Sequence, residues 1–223
     1  MDIKIKKENY LGLSDEGLVS WKEDPPIKGR PASLEAMKKL IEAGKADGIE
    51  IEIASGWRSF DRQFKIFDEK FRGLRPVLGE DEQPLDISGM SDAEKVKAIL
   101  RFSAIPGFSR HHFGTDFDIY ANNLLPEGQK LQLTAQEYSK GSYFYHFGIW
   151  LAHNLTTFGF YRPFTGDGLV SYEPWHISYS EEAGQFLGSF SLMAAVDYLN
   201  TIDRPWIPYV TAYAKENFEN LFN

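Results

Sequence analysis

Apolar residues recur with the period of a helix in two stretches of the first half of the chain. The first stretch begins at Ser33 and ends between Gly44 and Gly48, and its apolar positions are Leu34, Met37, Leu40 and Ile41. The second stretch carries four aromatic side chains at helical intervals: Phe60, Phe64, Phe67 and Phe71. Between them, isoleucines alternate with glutamates over residues 49–53, which predicts a half-buried strand.

A long loop and a third helix are expected next. Residues 72–90 are rich in proline and glycine and predict a loop. Loops of this length are uncommon in compact domains unless they have a function, such as a lid over a cleft. Ser91 and Glu94 form a capping-box pattern, which predicts a helix from there to about Phe102.

The second half of the chain supplies one more strand and several helices. Residues 115–120 predict a strand, and alternation places three polar side chains on one of its faces: Asp116, Asp118 and Tyr120. A helix is expected around 145–158, and the chain from Ser180 to the end is mainly helical in pattern. Helices mixed with short, separated strands indicate an α+β fold with a small antiparallel sheet.

Length and charge limit the classes of partner. A chain of 223 residues fits a single domain, 1–223, in which the polar residues 1–30 form an arm that wraps the rest. The net charge of −8 argues against a nucleic-acid partner, whose phosphates require Lys and Arg, and against anionic membranes. Soluble peptides fit this charge better.

Cysteine is absent, so any zinc ion must be held by nitrogen and oxygen ligands. The N-terminal residues lack the apolar core of a secretory signal, and no apolar run has the length of a membrane span. These features predict a cytoplasmic location, although a chain that had lost its leader would look the same.

Two short strings carry the chemistry. They are Ser-Arg-His-His-Phe-Gly-Thr-Asp-Phe-Asp at 109–118 and Glu-Pro-Trp-His at 173–176. His111, Asp118 and His176 make up the ligand set of a hydrolytic zinc site, which leaves one coordination position for water. Glu173 is then a carboxylate that can accept the proton of that water. Because Pro174 disfavours the helical region for Glu173, we expect the second string to be extended, with a bulge or twist.

Three further stretches accompany these strings: Ser-Gly-Trp-Arg-Ser (55–59) with Gln63, Trp150-Leu151-x-x-Asn154 leading to Phe158-Gly159-Phe160, and Tyr172. In this order the five segments resemble the LAS metallopeptidases. The resemblance is to the branch of VanY-type D-alanyl-D-alanine carboxypeptidases and their L,D-carboxypeptidase relatives, and it covers about residues 30–180. It implies a hedgehog/D-Ala-D-Ala-peptidase-like fold. Residues 181–223 are then a helical extension of that core.

The resemblance also implies roles for individual residues. His111, Asp118 and His176 would hold one Zn²⁺, and Glu173 would be the general base. Arg58 would stabilise the oxyanion or bind a carboxylate, although a structural ion pair is an alternative. The remaining matched positions contact substrate in the family, or could serve here as turn and helix caps: Ser59, Gln63 and Ser109.

Other polar residues near the motifs have less defined roles. His112 would break the spacing to Asp118 and is expected in a supporting or surface position. Asp116 could orient a ligand imidazole or face solvent. His146 and His153 are expected to pack or to lie at the surface. The family usually has Ala at the position of Asp116, Tyr at the position of Trp57, and Arg at about the position of Ser178.

The resemblance implies a zinc carboxypeptidase that removes a C-terminal D-alanine from peptidoglycan stem peptides. An L,D-carboxypeptidase acting on tetrapeptides, or a peptidoglycan dipeptidase or endopeptidase, would use the same residues. A non-catalytic zinc module is a more remote alternative.

Overall fold

The computed structural model describes residues 5–223. The helices are α1 (Lys7–Tyr10), α2 (Pro31–Ala46), α3 (Phe60–Phe71), α4 (Asp92–Leu100), α5 (Tyr145–Asn154), α6 (Ser180–Ser189), α7 (Leu192–Leu199) and α8 (Ile207–Asn217). The strands are β1 (Val19–Glu23), β2 (Pro26–Gly29), β3 (Ile51–Ser55), β4 (Val77–Leu78), β5 (Pro84–Leu85), β6 (Asp116–Ala121), β7 (Phe160–Tyr161) and β8 (His176–Tyr179). Within the described residues, no helix combines the length and the apolar character needed to cross a bilayer.

The central sheet has four antiparallel strands in the order β3-β6-β8-β7. Strand β6 lies in the middle, and its neighbours β3 and β8 pair with its two edges. The two remaining strand pairs, β1-β2 and β4-β5, are separate antiparallel ribbons. The small antiparallel sheet with flanking helices confirms the predicted α+β class.

One hydrophobic cluster lies between the central sheet and helices α2 and α5. Helix α2 begins with Pro31, a residue well suited to the first turn, and ends in the predicted region. The apolar side chains of this cluster include Met37, Leu40 and Ile53, which the sequence pattern predicts, together with Ile119, Phe147, Leu151 and Ile177. Burial of these side chains fixes the sheet against its helices.

A second hydrophobic cluster joins α3 and α4 to the C-terminal helices α7 and α8. Helix α4 begins with the predicted capping box, in which Ser91 and Glu94 exchange hydrogen bonds. Phe64 and Phe67 of α3 pack on Trp206, which is fully buried. The C-terminal helices therefore complete a core that the first half of the chain cannot close alone.

Two segments are more ordered than their sequences predict. The arm expected at 1–30 contains α1 and the β1-β2 ribbon, and Tyr10 and Leu11 are buried in the second cluster; residues 1–4 of the arm lie outside the described residues. The loop expected at 72–90 contains the β4-β5 ribbon, with Val77 and Ile87 buried. Both segments are anchored by a few apolar residues, too few to give a periodic signal.

Replacement of Trp206 by alanine tests the role of the extension in the core. Its indole packs on Phe67 with 4.8 Å between ring centroids, and its Nε1–H donates to Asp68 Oδ1 at 3.1 Å. We expect Trp206→Ala to lower the free energy of unfolding by about 3–5 kcal/mol in chemical denaturation. Met193→Ala, at a position 59% exposed in the same extension, should change it by less than about 0.5 kcal/mol. Equal effects of the two substitutions would contradict this packing.

Candidate active site

Three separate segments bring the predicted metal ligands together. His111 lies in a 3-10 turn, Arg110–Phe113, that Gly114 ends with a φ of 76° before β6 begins. Asp118 lies on β6 directly opposite His176, the first residue of β8. A left-handed residue such as Gly114 allows the tight reversal that turns His111 back toward Asp118.

The three side chains meet at one point in the protein interior. His111 Nε2 lies 3.2 Å from Asp118 Oδ2, and His176 Nδ1 lies 3.1 Å from Asp118 Oδ1. Ligand atoms from all three residues lie within 4.8 Å of one another, and all three residues are buried. Ligands of a tetrahedral zinc ion stand roughly 3.4 Å apart, given bonds of about 2.1 Å. The group therefore has the dimensions of a metal site.

The outer ring nitrogens of both histidines have hydrogen-bond acceptors. His111 Nδ1 lies 2.9 Å from the carbonyl oxygen of Gly56, and His176 Nε2 lies 3.0 Å from Asp116 Oδ1. With protons on these atoms, His111 Nε2 and His176 Nδ1 present lone pairs toward Asp118. Such outer partners fix the tautomer and raise the basicity of a metal ligand, so the donor set fits zinc chemically as well as dimensionally.

Asp116 is the residue that orients His176, one of the two roles predicted for it. It is fully buried and accepts hydrogen bonds from Arg110 Nε at 2.7 Å and from Thr115 Oγ1 at 2.6 Å. Burial alone would raise its pKa, but Arg110 and His176 outweigh that effect and hold the pKa below its ordinary value. The carboxylate is thus ionised and held in place beneath the imidazole.

Arg110 connects the site to distant parts of the chain. Its guanidinium donates to Ser178 Oγ at 2.7 Å, to the hydroxyl of Tyr161 at 2.6 Å and to the carbonyl oxygen of Phe222 at 3.0 Å. Two of the departures from the family pattern, Asp116 and Ser178, therefore belong to one network. The resemblance implies an Arg at about position 178 itself, whereas here the guanidinium beside Ser178 comes from Arg110.

Two carboxylates contact the His176 imidazole and favour its charged form. Burial opposes the charge, but the hydrogen bonds to Asp116 and Asp118 outweigh it and raise the pKa of His176 to about 9. The same Asp118 carboxylate has a pKa held well below its usual range by His111 and His176, against the opposing effect of burial. The carboxylates of Asp116 and Asp118 therefore favour positive charge at this point of the interior.

Glu173 faces the same point as the ligands. Residues 173–176 form a turn in which the His176 N–H donates to the Glu173 carbonyl oxygen at 3.1 Å. The expected extended string is wrong for this reason: the turn, and not a bulge in a strand, places the two side chains on one side. Glu173 Oε2 lies 3.6 Å from His176 Nδ1. Burial raises the pKa of Glu173 to about 7, although His176 lowers it.

Arg58 follows β3 and reaches the same carboxylate as the histidines. Its Nη2 lies 3.8 Å from Asp118 Oδ2 and donates to Ser55 Oγ at 3.2 Å. Its Nη1 donates at 2.9 Å to Gln63 Oε1, and Gln63 Nε2 donates at 2.8 Å to the carbonyl oxygen of Ala104. Gln63 thus links Arg58 to the backbone at Ala104, and its predicted contact with substrate stays a prediction.

The two serines of the predicted substrate set occupy different places. Ser59 caps α3, since its Oγ accepts the N–H of Arg62 at 3.2 Å. Ser109 is buried and lines the cavity beside His111. Contact with substrate stays a prediction for both residues, and Ser109 is the better placed of the two.

The remaining histidines lie outside the ligand set. His112 is fully buried; its Nε2 accepts the Gly107 N–H at 3.0 Å, and its Nδ1 lies 2.6 Å from the carbonyl oxygen of Arg58. Burial lowers the pKa of His112 to about 3, so it is neutral and holds the backbone beneath the site. His146 and His153 are exposed on α5.

A cavity of about 230 Å³ opens beside the ligands and contains residues that the sequence did not single out. Lys70, near the end of α3, lines it together with Ser103. Its apolar wall includes Leu100, Phe102, Ile105, Phe108, Leu169 and Val170. Lysines on amphipathic helices usually face solvent, so no pattern in the sequence marks Lys70 as a site residue.

Comparison with known proteins gives the family. Residues 27–182 match the family model described as VanY, D-alanyl-D-alanine carboxypeptidase. The chain belongs to this family. It is 29% identical over 147 residues to a D-alanyl-D-alanine carboxypeptidase of Enterococcus faecalis, a match covering 64% of this chain and 45% of that enzyme. The chain spans about half the length of the first curated relatives it matches.

Two solved structures of VanY proteins share the fold. VanYB in complex with D-alanine-D-alanine is 25% identical, with a TM-score of 0.55 over 85% of this chain and 91% of that one. A mutant of the vancomycin-resistance D,D-pentapeptidase VanY in complex with Zn(II) is 24% identical, with a TM-score of 0.54 over 80% and 88%. The predicted relationship to VanY-type carboxypeptidases is therefore confirmed.

Removal of one imidazole tests the metal site directly. We expect the protein to bind one Zn²⁺ per chain in calorimetric titration, and His176→Ala to weaken this binding by more than the ~10–100-fold typical for loss of an outer partner. His153→Ala, which removes an exposed imidazole, is the matched control and should bind as the unmodified protein does. Equal zinc affinity in both variants would mean that the ion is held elsewhere.

Proposed function

We propose that this protein is a zinc-dependent carboxypeptidase that removes C-terminal D-alanine from peptidoglycan stem peptides. One observation carries the proposal: His111, Asp118 and His176 converge within 4.8 Å, with the Glu173 carboxylate 3.6 Å from His176. Three protein ligands with a neighbouring carboxylate that is not a ligand are the arrangement of a hydrolytic zinc site. Family membership supports carboxypeptidase chemistry at this site.

The proposed ligand atoms are His111 Nε2, His176 Nδ1 and an oxygen of Asp118. When bound, zinc supplies Lewis-acid chemistry at the scissile carbonyl. Asp116 and the Gly56 carbonyl keep the two imidazoles in the tautomers that the ion requires.

Glu173 is the proposed general base. Its carboxylate takes a proton from the water that attacks the scissile carbonyl carbon, and it then gives that proton to the nitrogen of the departing D-alanine. The peptide C–N bond breaks, and the products are a shortened peptide with a new carboxylate and free D-alanine. The turn at 173–176 holds the Glu173 carboxylate 3.6 Å from His176 Nδ1, which supports this role.

Arg58 is the proposed second catalytic residue. Its guanidinium lines the cavity, and its contacts with Ser55, Gln63 and Asp118 fix its position. A fixed positive group near the scissile carbonyl stabilises the negative oxygen that develops during attack. The ion pair with Asp118 is long, at 3.8 Å, which leaves the guanidinium available to substrate.

The family description and the D-alanine-D-alanine complex of VanYB support D-alanine as the residue released. Mass spectrometry of products from mixed tetrapeptide and pentapeptide muropeptides tests the substrate. Release of D-alanine from pentapeptide alone supports D,D-specificity, and release from tetrapeptide assigns the L,D-specificity. Cleavage of internal bonds without free D-alanine would overturn the carboxypeptidase proposal.

Removal of the metal should abolish the activity reversibly. Chelator-treated protein is expected to release less than about one hundredth of the D-alanine released before treatment, because several kcal/mol of carbonyl polarisation are lost. Addition of one equivalent of Zn²⁺ should restore the rate. D-alanine release that continues unchanged in metal-free protein would remove zinc from the proposal.

Glu173→Gln tests the general base while keeping the size of the side chain. We expect kcat to fall about 10²–10⁴-fold, because an amide cannot accept the proton of the attacking water. Zinc binding should persist, as Glu173 is not a proposed ligand. Glu181→Gln, at an exposed position beyond β8, serves as control and should leave kcat unchanged. Near-normal turnover by Glu173→Gln would contradict the role.

A further inference from the structure

Three cationic side chains line the cavity, and their hydrogen-bond donors are used very differently. They are Arg58, Lys70 and Arg110. The donors of Arg110 go to Asp116, Ser178, Tyr161 and the Phe222 carbonyl. Arg58 is held by Gln63, Ser55 and the longer ion pair with Asp118. The positions of both guanidinium groups are therefore set by the protein.

Lys70 makes one hydrogen bond and has further N–H donors without a partner among residues 5–223. Its Nζ donates to Ser103 Oγ at 2.7 Å, and among residues 5–223 no carboxylate lies within ion-pair distance of it. An ammonium group carries three N–H donors, so two remain for a ligand. Ser103 is itself buried, which fixes the direction in which the ammonium points.

The surroundings of Lys70 favour an anionic ligand. Burial lowers the pKa of Lys70 to about 8, with the positive charges of Arg75 and Arg58 adding to this effect and Glu173 opposing it. Lys70 is half-buried, and a partly desolvated charge without a counter-ion is costly, so a carboxylate brought by the substrate would offset that cost. The same cavity contains the proposed catalytic residues Glu173 and Arg58.

We propose that Lys70, positioned by Ser103, binds the carboxylate at the C-terminus of the peptide substrate. This inference rests on the proposed carboxypeptidase function. An exopeptidase must recognise the terminal carboxylate. Arg58 is already assigned to the oxyanion, whereas Lys70 has no role in the proposed mechanism and two of its three donors have no hydrogen-bond partner among residues 5–223. The third cavity cation, Arg110, donates to Asp116 and Ser178, so its guanidinium is already committed within the protein.

The apolar side chains that line the same cavity as Lys70 fit the rest of a terminal D-alanine. Leu100, Ile105 and Phe108 line the same cavity as Lys70 and Ser103. A methyl group packs against such a wall, while the carboxylate is bound by the ammonium. Discrimination of this kind, one charged contact within an apolar pocket, is typical of small-ligand sites.

A pair of peptides that differ only in the terminal carboxylate tests the assignment. The substrates are a pentapeptide ending in D-Ala-D-Ala and the same peptide ending in D-alaninamide, with release of D-alanine or D-alaninamide followed by mass spectrometry. We expect Lys70→Met to lower kcat/KM for the acid by about 10–100-fold, the value of a charge-assisted hydrogen bond, mainly through KM. Turnover of the amide should be unchanged, and Lys70→Arg should restore part of the loss.

Lys65→Met is the matched control, since Lys65 lies on the same helix with its side chain 64% exposed. Lys65→Met should leave kcat/KM unchanged for both peptides. If the unmodified protein does not cleave the amide, the inhibition constant of the amide against hydrolysis of the D-Ala-D-Ala peptide replaces its kcat/KM. Lys70→Met should leave that constant unchanged while it raises KM for the D-Ala-D-Ala peptide. Thermal melting of Lys70→Met establishes that the variant is folded.

The outcomes separate the two proposals. Equal losses on acid and amide, or no loss on either, in a folded Lys70→Met protein would overturn the assignment of Lys70 and leave the carboxypeptidase proposal intact. Failure of the zinc-loaded unmodified protein to release D-alanine from any muropeptide would overturn the proposed function and this assignment together.

Discussion

The pairing of β6 with β8 is the constraint on which the site depends. It places Asp118 opposite His176 and Asp116 opposite Ser178, so that both carboxylates reach the same imidazole from one face of the sheet. A shift of one residue in this register would turn those side chains into the hydrophobic cluster on the other face. Burial of Phe117 and Ile177 on that opposite face sets the register, and the core therefore determines the geometry of the site.

The buried charges around the site form a connected network that extends beyond the family-matched region. Arg110 and Asp116 are both buried, and either charge alone would be costly to bury. The ion pair between Arg110 Nε and Asp116 Oδ1, at 2.7 Å, offsets that cost. Through the Phe222 carbonyl, Arg110 also joins the C-terminal residues to the imidazole of His176. The C-terminal helices thus support the site through packing and through one guanidinium, and Trp206 fixes those helices on α3.

Sequence alone predicts the parts of this protein that depend on local pattern. Helices α2 and α3 follow from apolar periodicity, and the convergence of the ligand residues follows from motifs with fixed spacing. The turn at Glu173 was missed because Pro174 disfavours a helix but permits both a strand and a turn. Lys70 was missed because its role depends on what packs around it: Ser103 comes from a distant segment, and no local signal links the two residues. The surroundings of such a residue follow from tertiary contacts, which the local sequence pattern does not show.

Anomalous diffraction at the zinc edge from crystals of the zinc-loaded protein tests the central claim most directly. We expect a single strong peak at about 2.0–2.2 Å from His111 Nε2, His176 Nδ1 and an Asp118 oxygen, with Glu173 outside bonding distance. A peak located elsewhere, or an ion coordinated without one of these three side chains, would contradict it.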